Sequence, residues 1–475
     1  MTMLAGTTIV FAIAASLLLA GCASPPQEHV DASPPLPAQW QNTVPVDSTI
    51  DPQWWRAFGS DELSGLIAQA QAQSLDVAAA VARVRQAEAS TRIAGAALSP
   101  AVTASLDASR EARLGGHADI DGTWIGAGLT ASYEVDVWGR LGATQGSALA
   151  ALQASRFDRD AVHWTVSAAV ASGWVQAVAL QGRIGIAERN LASAERLLKL
   201  VESRQRAGAA TPLELAQQRG LAASQRRSLE ALRQKAAEAR TAVALLLGQA
   251  GAVDLRTTSL EILRVPAIGA GVPSHLLTRR PDIARAEAQL AAADANVHAA
   301  RAAMLPTLTL TAGIETGGNR LRRVFDNPLY SLAAGLAAPI FDGGRLTAER
   351  DLAIAQREEL IASYRSAIFA AFGDVEVALD AVAGLDAQMA AQAEELAQAQ
   401  RALALAESRY SAGSETLLTL LDAQRTLYTA QDTAVQLKAL RLQAAVSLYK
   451  ALGGGWQKPA QPFQSDVAAL RKPLP

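Results

Sequence analysis

The residues able to do chemistry in this sequence are few and scattered. The five histidines (His29, His117, His163, His275 and His298) show no ligand spacing. The single cysteine, Cys22, has no second thiol to join it. A tetrahedral metal site needs several such donors to converge, so no metal is expected. Gly126-Ala127-Gly128 lacks both the third glycine of a dinucleotide fingerprint and the lysine of a phosphate loop. No serine sits in a nucleophile elbow. The residues therefore predict no catalytic group and no cofactor. The one reactive group of interest is the Cys22 thiol, which has no partner for an intramolecular disulfide.

The place of Cys22 in the chain matters more than its number. Residues 7–20 form an apolar run of signal-peptide length, too short to span a bilayer as a helix. The run ends in Leu19-Ala20-Gly21-Cys22. This resembles a bacterial lipobox, where the cysteine sulfur is lipidated and the chain is cut just before it. The small residues Ala20 and Gly21 let the peptidase reach that bond. Residues 1–21 then read as a lipoprotein signal peptide, although they carry no Lys or Arg. Residue 23 is Ala rather than Asp, which by the same resemblance favours sorting to the outer membrane. Several acyl chains on one cysteine make a firm anchor, whereas one alone holds marginally. Residues 22–53 carry seven prolines and read as an extended linker from lipid to fold. Residues 456–475 read as a C-terminal surface tail.

The elements beyond the linker follow from composition and repetition. A net charge of −2 gives no nucleic-acid footprint. Half the residues are apolar and only 5% aromatic, with Ala, Gln, Glu and Arg abundant. That balance favours long helices. No later stretch holds 18 consecutive strongly apolar residues. The chain repeats itself with an offset of about 205 residues. Ser203-Arg204-Gln205-Arg206-Ala207-Gly208 matches Ser408-Arg409-Tyr410-Ser411-Ala412-Gly413, and Gly139-Arg140-Leu141 matches Gly344-Arg345-Leu346. The first half-unit spans 54–249, with strands 101–110 and 124–135, a long helix 140–206 and a helix 212–248. A connector follows at 250–278. The second half-unit spans 279–455, with helix 281–304, strands 307–314 and 329–340, long helix 345–411 and helix 416–452.

The strands and helices make different demands. Val102, Ala104, Leu106 and Ala108 alternate with Thr103, Ser105, Asp107 and Ser109, and Leu308, Leu310, Ala312 and Ile314 alternate likewise. Such strands have the length and pattern of membrane β-strands. Four strands cannot close a barrel, and an open edge is not tolerated in lipid, so copies must pool their strands. Two chains or three would serve. No proline interrupts residues 140–206, a helix of about 100 Å at 1.5 Å per residue. Ile184, Ala187, Leu191, Ala194, Leu198 and Val201 step by three and four, a coiled-coil seam. The shorter helices together nearly equal a long one, so two stacked end to end run beside it. The fold class is mainly α, as duplicated half-units of long coiled-coil helices whose rods side by side make a wall, with a small membrane β part.

These residues resemble outer-membrane efflux proteins, the outer membrane factors of the TolC and OprM type, including the NodT-like efflux lipoproteins. The marks are Trp54-Trp55-Arg56-Ala57-Phe58, Arg279-Arg280-Pro281-Asp282, and Arg409-Tyr410-Ser411-Ala412-Gly413 followed by Leu420-Leu421-Asp422-Ala423-Gln424. The resemblance covers about residues 50–455. It implies a homotrimer with four strands per protomer in a shared 12-stranded β-barrel, a tall α-barrel below, and an equatorial belt. It also implies a passive duct exporting small molecules (drugs, toxic compounds) through the bacterial outer membrane, reaching into the periplasm and serving a periplasmic adaptor (membrane fusion protein) and an inner-membrane pump. Outer-membrane lipid is a partner and nucleic acid is not. The periplasmic gate would involve Asp422, facing the lumen as a ring of three carboxylates, and Tyr410. The adaptor-docking helix turns are Arg204, Gly208, Thr211, Pro212, Arg409, Gly413 and Ser414. Gly208 and Gly413 suit helix C-termini, and Thr211 with Pro212 suits a helix start. Thr419 and Glu415 stand where some family members carry an acid and an arginine, so the latch is expected to be weaker or wired differently.

Two other functions fit parts of this pattern. One is a type I protein-secretion duct; the other is a periplasmic coiled-coil lipoprotein without a pore. Arg320, Arg322 and Arg323 in the second hairpin loop are either a solvated cluster or a contact for anionic surface lipid.

Overall fold

The computed structural model describes residues 37, 39–41, 50–115, 121–266 and 268–459. Cys22, the signal segment, most of the linker and residues 460–475 of the tail lie outside the described residues. The described elements begin with a 3-10 turn, Trp54–Phe58, and continue as α1 (Asp61–Gln73), α2 (Leu75–Ala96), β1 (Ala101–Ala112), β2 (Asp121–Val135), α3 (Arg140–Arg206) and α4 (Pro212–Leu246). Single helical turns at Leu260–Ile262, Pro273–His275 and Leu276–Arg279 punctuate the connector. The second half gives α5 (Pro281–Ala302), β3 (Thr307–Gly318), β4 (Leu329–Ala337), α6 (Arg345–Ser411) and α7 (Leu417–Ala451).

Three strands run further than the sequence pattern indicates, and one stops sooner. β1 reaches Ala112 and β2 starts at Asp121 because Glu111 and Ala112 pair with Gly122 and Asp121. β3 continues past residue 314 because Glu315 to Gly318 pair with β2. Alternation fades at these charges and glycines, but the backbone ladder does not need it. β4 ends at Ala337, paired with Thr307, rather than at 340. Pro306 and Pro339 lack the amide protons that would carry the ladder on.

The four strands form one antiparallel sheet in the order β1-β2-β3-β4. Directly paired residues share a face, so the register sorts the sheet. Val102, Ala104, Leu106 and Ala108 stand beside Ala131, Leu129, Ala127 and Ile125. Leu129 and Ala131 continue to Ile314 and Ala312, and Tyr133 and Val135 to Leu310 and Leu308. Those in turn meet Tyr330, Leu332, Ala334 and Leu336. One face is therefore apolar across all four strands. The other holds Thr103, Ser105, Asp107, Thr130, Ser132, Thr309, Thr311, Glu315 and Ser331. Among the described residues no helix covers this apolar face, and its middle stands open: Leu106 is 81% exposed and Leu332 77%. Among the described residues no helix is long and apolar enough to cross a membrane.

α3 and α6 are built alike. Each has 67 residues and starts after a glycine of positive φ, Gly139 or Gly344. Asp136 accepts from the amides of Leu141 (2.9 Å) and Gly142 (2.7 Å), and Asp342 from those of Leu346 (2.9 Å) and Gly344 (3.0 Å). These carboxylates satisfy amides that a helix start otherwise leaves unpaired. In its upper part α3 packs between α2 and α5, and in its lower part between α4 and α7. α6 packs mainly on α5 above and α7 below. The resulting layer reads α2-α3-α5-α6 above and α4-α3-α7-α6 below. α3 buries 22 residues and α6 only 12, so the second long helix lies at an edge. β1 and β4 are the matching edges of the sheet.

The stacking of short helices is visible where they meet. Gly248, just past α4, sits so close to the start of α2 that a Cβ there would stand 2.4 Å from the Gln73 carbonyl oxygen. Its repeat partner Gly453 would place one 2.0 Å from the Arg279 carbonyl oxygen, before α5. Around this junction lies the largest core cluster. Trp54 stacks on Tyr449 at 5.0 Å and meets Trp55 and Phe58 edge-on. Arg280 is buried among the same elements. It donates to Asp282 (2.7 and 3.0 Å), to Asp374 (3.0 Å), and to the carbonyls of Ala371 and Ala451. Burial alone would push the Arg280 guanidinium down, but Asp282 and Asp374 raise its pKa above the ordinary value.

Candidate gate at the helix turns

The α3–α4 and α6–α7 connections are two copies of one turn. Gly208 and Gly413 adopt φ of 74° and 75°. The Ala209 amide reaches back to the Arg204 carbonyl (2.8 Å) and Gly208 to Gln205 (3.0 Å). The Ser414 amide reaches Arg409 (2.9 Å) and Gly413 reaches Tyr410 (3.0 Å). This pair of hydrogen bonds satisfies carbonyls at each helix end, and the positive φ it needs suits glycine. Thr211 then caps α4: its hydroxyl accepts from the Glu214 amide (3.2 Å), and Glu214 accepts from the Thr211 amide (2.6 Å). Pro212 occupies the first helical position.

The second turn is wired differently. Thr416 caps α7 by accepting from the Thr419 amide (3.3 Å). Thr419 cannot reach back as Glu214 does; Glu415 takes that task, accepting from the Thr416 amide and the Thr419 hydroxyl, both at 3.1 Å. Arg409 lies 3.4 Å from the same carboxylate. The Thr416 amide, with Thr419 and Arg409, holds the Glu415 carboxyl below its ordinary pKa.

The structure brings Arg204, from the first turn, onto Tyr410, beside the second. The guanidinium lies 4.7 Å over the phenol ring, and Nη1 donates to the Tyr410 carbonyl at 2.9 Å. Tyr410 is 3% exposed, and its hydroxyl is buried without a partner among the described residues. Burial pushes the phenol pKa up, so it stays protonated at neutral pH. Asp422 is not part of this contact. It lies on α7 beyond the cap, exposed, beside the buried Leu421. Among the described residues its carboxylate has no hydrogen bond or ion pair.

Sequence reading takes the neighbouring Gln424 only as the last residue of a family motif and gives it no role. It is fully buried, and both its amide atoms lack partners among the described residues. Gln218 and Gln392 are also buried but donate to the carbonyls of Ala194 (2.8 Å) and Ala430 (3.0 Å). Arg183 grips Asp432 with two bonds, 2.6 and 2.9 Å, tying α3 to α7. Arg441 ties α7 to α6 through Asp386. A glutamine in an apolar seam was a signal available from burial periodicity. The ion pairs, between residues up to 249 apart, left no local pattern. Among the described residues no group of three or more His, Cys, Asp or Glu is placed to hold a metal.

A sheet with one apolar face open to its surroundings, carried on paired helices of about 100 Å, defines an outer-membrane efflux channel. The Outer membrane efflux protein family model matches residues 66–249 and again 272–454, and the chain belongs to that family. It is 51% identical over 461 residues to the pyoverdine export outer membrane protein OpmQ of Pseudomonas aeruginosa, covering 94% of this chain and 97% of the relative. It is 31% identical over 455 residues to the cation efflux system protein CusC of Escherichia coli, covering 93% and 98%. The open-state crystal structure of the MtrE outer membrane channel of Neisseria gonorrhoeae superposes with a TM-score of 0.82 at 30% identity, covering 93% of this chain and all of that one. These relatives are efflux proteins rather than enzymes.

Proposed function

We propose that this chain is the outer-membrane duct of a tripartite exporter of a pyoverdine-type siderophore. The observation that carries the duct is the sheet register, which leaves an uninterrupted apolar face with two open edges. An open edge in lipid strands backbone polar groups, so β4 of one copy pairs with β1 of the next. Three copies make twelve strands, and the same edges bring α6 against α2 and α4 of the neighbour. Cys22 carries the lipid anchor, residues 1–21 are removed, and the 22–53 linker joins lipid to fold. Residues 54–74, 250–278 and the tail form the belt.

The turns around Gly208 and Gly413, with Arg204, Thr211, Pro212, Arg409 and Ser414, receive a periplasmic adaptor bound to an inner-membrane pump. Tyr410 and Asp422 act at the gate. Arg204 latches the first turn to the second through Tyr410, and Asp422 faces the lumen, three carboxylates to a ring. Conduction is passive. The substrate class rests on 51% identity to a pyoverdine exporter, against 31% to a cation exporter.

Two experiments test this. A strain lacking the chain is expected to secrete less siderophore and to recover on complementation. Normal secretion with lost tolerance to metal cations or toluene would refute the substrate. In planar bilayers, Asp422→Ala is expected to raise resting conductance and reduce cation selectivity. Unchanged current would remove Asp422 from the gate.

A further inference from the structure

The β3–β4 hairpin ends in a loop that does not stand clear of the sheet. Thr316 pairs with Ala127, and Gly318 with Ile125, so both belong to the apolar face. The Thr316 hydroxyl donates to the Val324 carbonyl. A Cβ on Gly318 would stand 2.8 Å from the Arg323 carbonyl oxygen and 3.3 Å from the Arg323 Cβ. Val324 is 2% exposed. The 3-10 turn Leu321–Arg323 is therefore folded back against the face that meets lipid, at the end of the sheet away from the helices.

What this turn presents is amphipathic. Arg320, Arg322 and Arg323 are exposed, and no acidic side chain pairs with them among the described residues. Between and beside them, Leu321 is 75% exposed and Phe325 77%. The rows of the apolar face show the level at which this happens. Ile314 pairs with Tyr330, an aromatic of the kind found at membrane interfaces. Higher up the sheet come Ile125 and then Arg110, which pairs with Thr123 on the same face. Basic side chains thus begin where the apolar band ends, on the outer side of the sheet rather than the lumenal side.

We propose that the turn holding Arg320, Arg322 and Arg323 docks a phosphorylated lipid headgroup of the outer leaflet. Guanidinium groups bind phosphate through paired, charge-assisted hydrogen bonds. Leu321 and Phe325 lie against the acyl chains of the same lipid. A free phosphate ion would gain nothing from those two side chains, and a loop serving only solvent has no reason to lie on the apolar face. The inference rests on the proposed membrane duct, and on the hairpin facing the exterior.

The test uses the full chain in nanodiscs of zwitterionic phospholipid, titrated with bisphosphorylated lipid A, with dephosphorylated lipid A, or with inorganic phosphate. Retained lipid is read by native mass spectrometry. The wild type is expected to hold the phosphorylated lipid at least about tenfold more tightly than the dephosphorylated one, as clustered basic residues at an anionic surface do. R320Q/R322Q/R323Q is expected to erase that preference. L321S/F325S is expected to weaken retention of both lipids while keeping it. A wild type with no phosphate preference overturns the inference, and that comparison needs no variant to fold. So does a triple variant that keeps the preference, or displacement by inorganic phosphate at equal concentration. Failure of the chain to enter nanodiscs as an oligomer would instead overturn the membrane duct itself, and this inference with it.

Discussion

Leu332→Arg is expected to abolish assembly in the membrane, whereas Thr311→Arg, one strand away, is expected to leave it intact. Leu332 pairs with Ala312 on the apolar face and is 77% exposed in the single chain. A guanidinium facing lipid near the midplane costs about 2–4 kcal/mol. In the proposed barrel of three copies the penalty recurs three times, and it acts before the edges have closed. Thr311 pairs with Ser132 and Ala333 on the opposite face. An arginine there meets water in the lumen, so the expected change is in ion selectivity alone. The readout is the amount of heat-modifiable oligomer in outer-membrane fractions, with bilayer currents for Thr311→Arg. Equal loss of both variants, or of neither, would show the two faces to be wrongly assigned.

Arg280→Ala is expected to be the most damaging single change outside the sheet. The Arg280 side chain is 5% exposed, against 26% for Asp282 and 56% for Asp374. It also accepts the role of a helix cap, since the Ala451 carbonyl it binds at 3.2 Å ends α7. Removing one partner of a buried ion pair costs about 3–5 kcal/mol. Because Asp374 is half in water, the expected loss falls below that range, at about 2–3 kcal/mol. Arg280→Lys is expected to recover only part of this, since an ammonium cannot span both carboxylates and the two carbonyls. Thermal unfolding of the detergent-solubilised protein measures both. A melting temperature unchanged in Arg280→Ala would show this helix junction to be held by the Trp54, Phe58 and Tyr449 cluster alone.

Much of the fold was legible because it is periodic. Heptad steps such as Leu229, Leu232, Ala236 and Val243 mark a helix face directly, and those residues are buried. The paired Gly139-Arg140 and Gly344-Arg345 exposed the duplication. What was less legible depends on pairing across space. β2 and β4 alternate poorly by themselves, with Gly126, Gly128 and Gly335 in the pattern, and become two-faced only once the register is known. Asp136 and Asp342 precede their helices by several residues, so the glycines drew notice and the caps did not. Arg280 was read as one letter of a motif, yet its work is to bind Asp374, 94 residues away. At the turns, Gly208, Gly413 and Thr211 could be read from helix-end chemistry. The meeting of Arg204 with Tyr410, 206 residues apart, could not.

A four-stranded sheet with open edges cannot keep its own backbone polar groups out of lipid, so the proposed duct requires copies to pool their strands, three of them in the proposed barrel. Native mass measurement of the gently extracted particle tests it most directly. The predicted result is a single species of three chains that keeps its β-structure and conducts when reconstituted. A stable one-chain particle with the same strand content, or a two-chain particle that conducts, would contradict it.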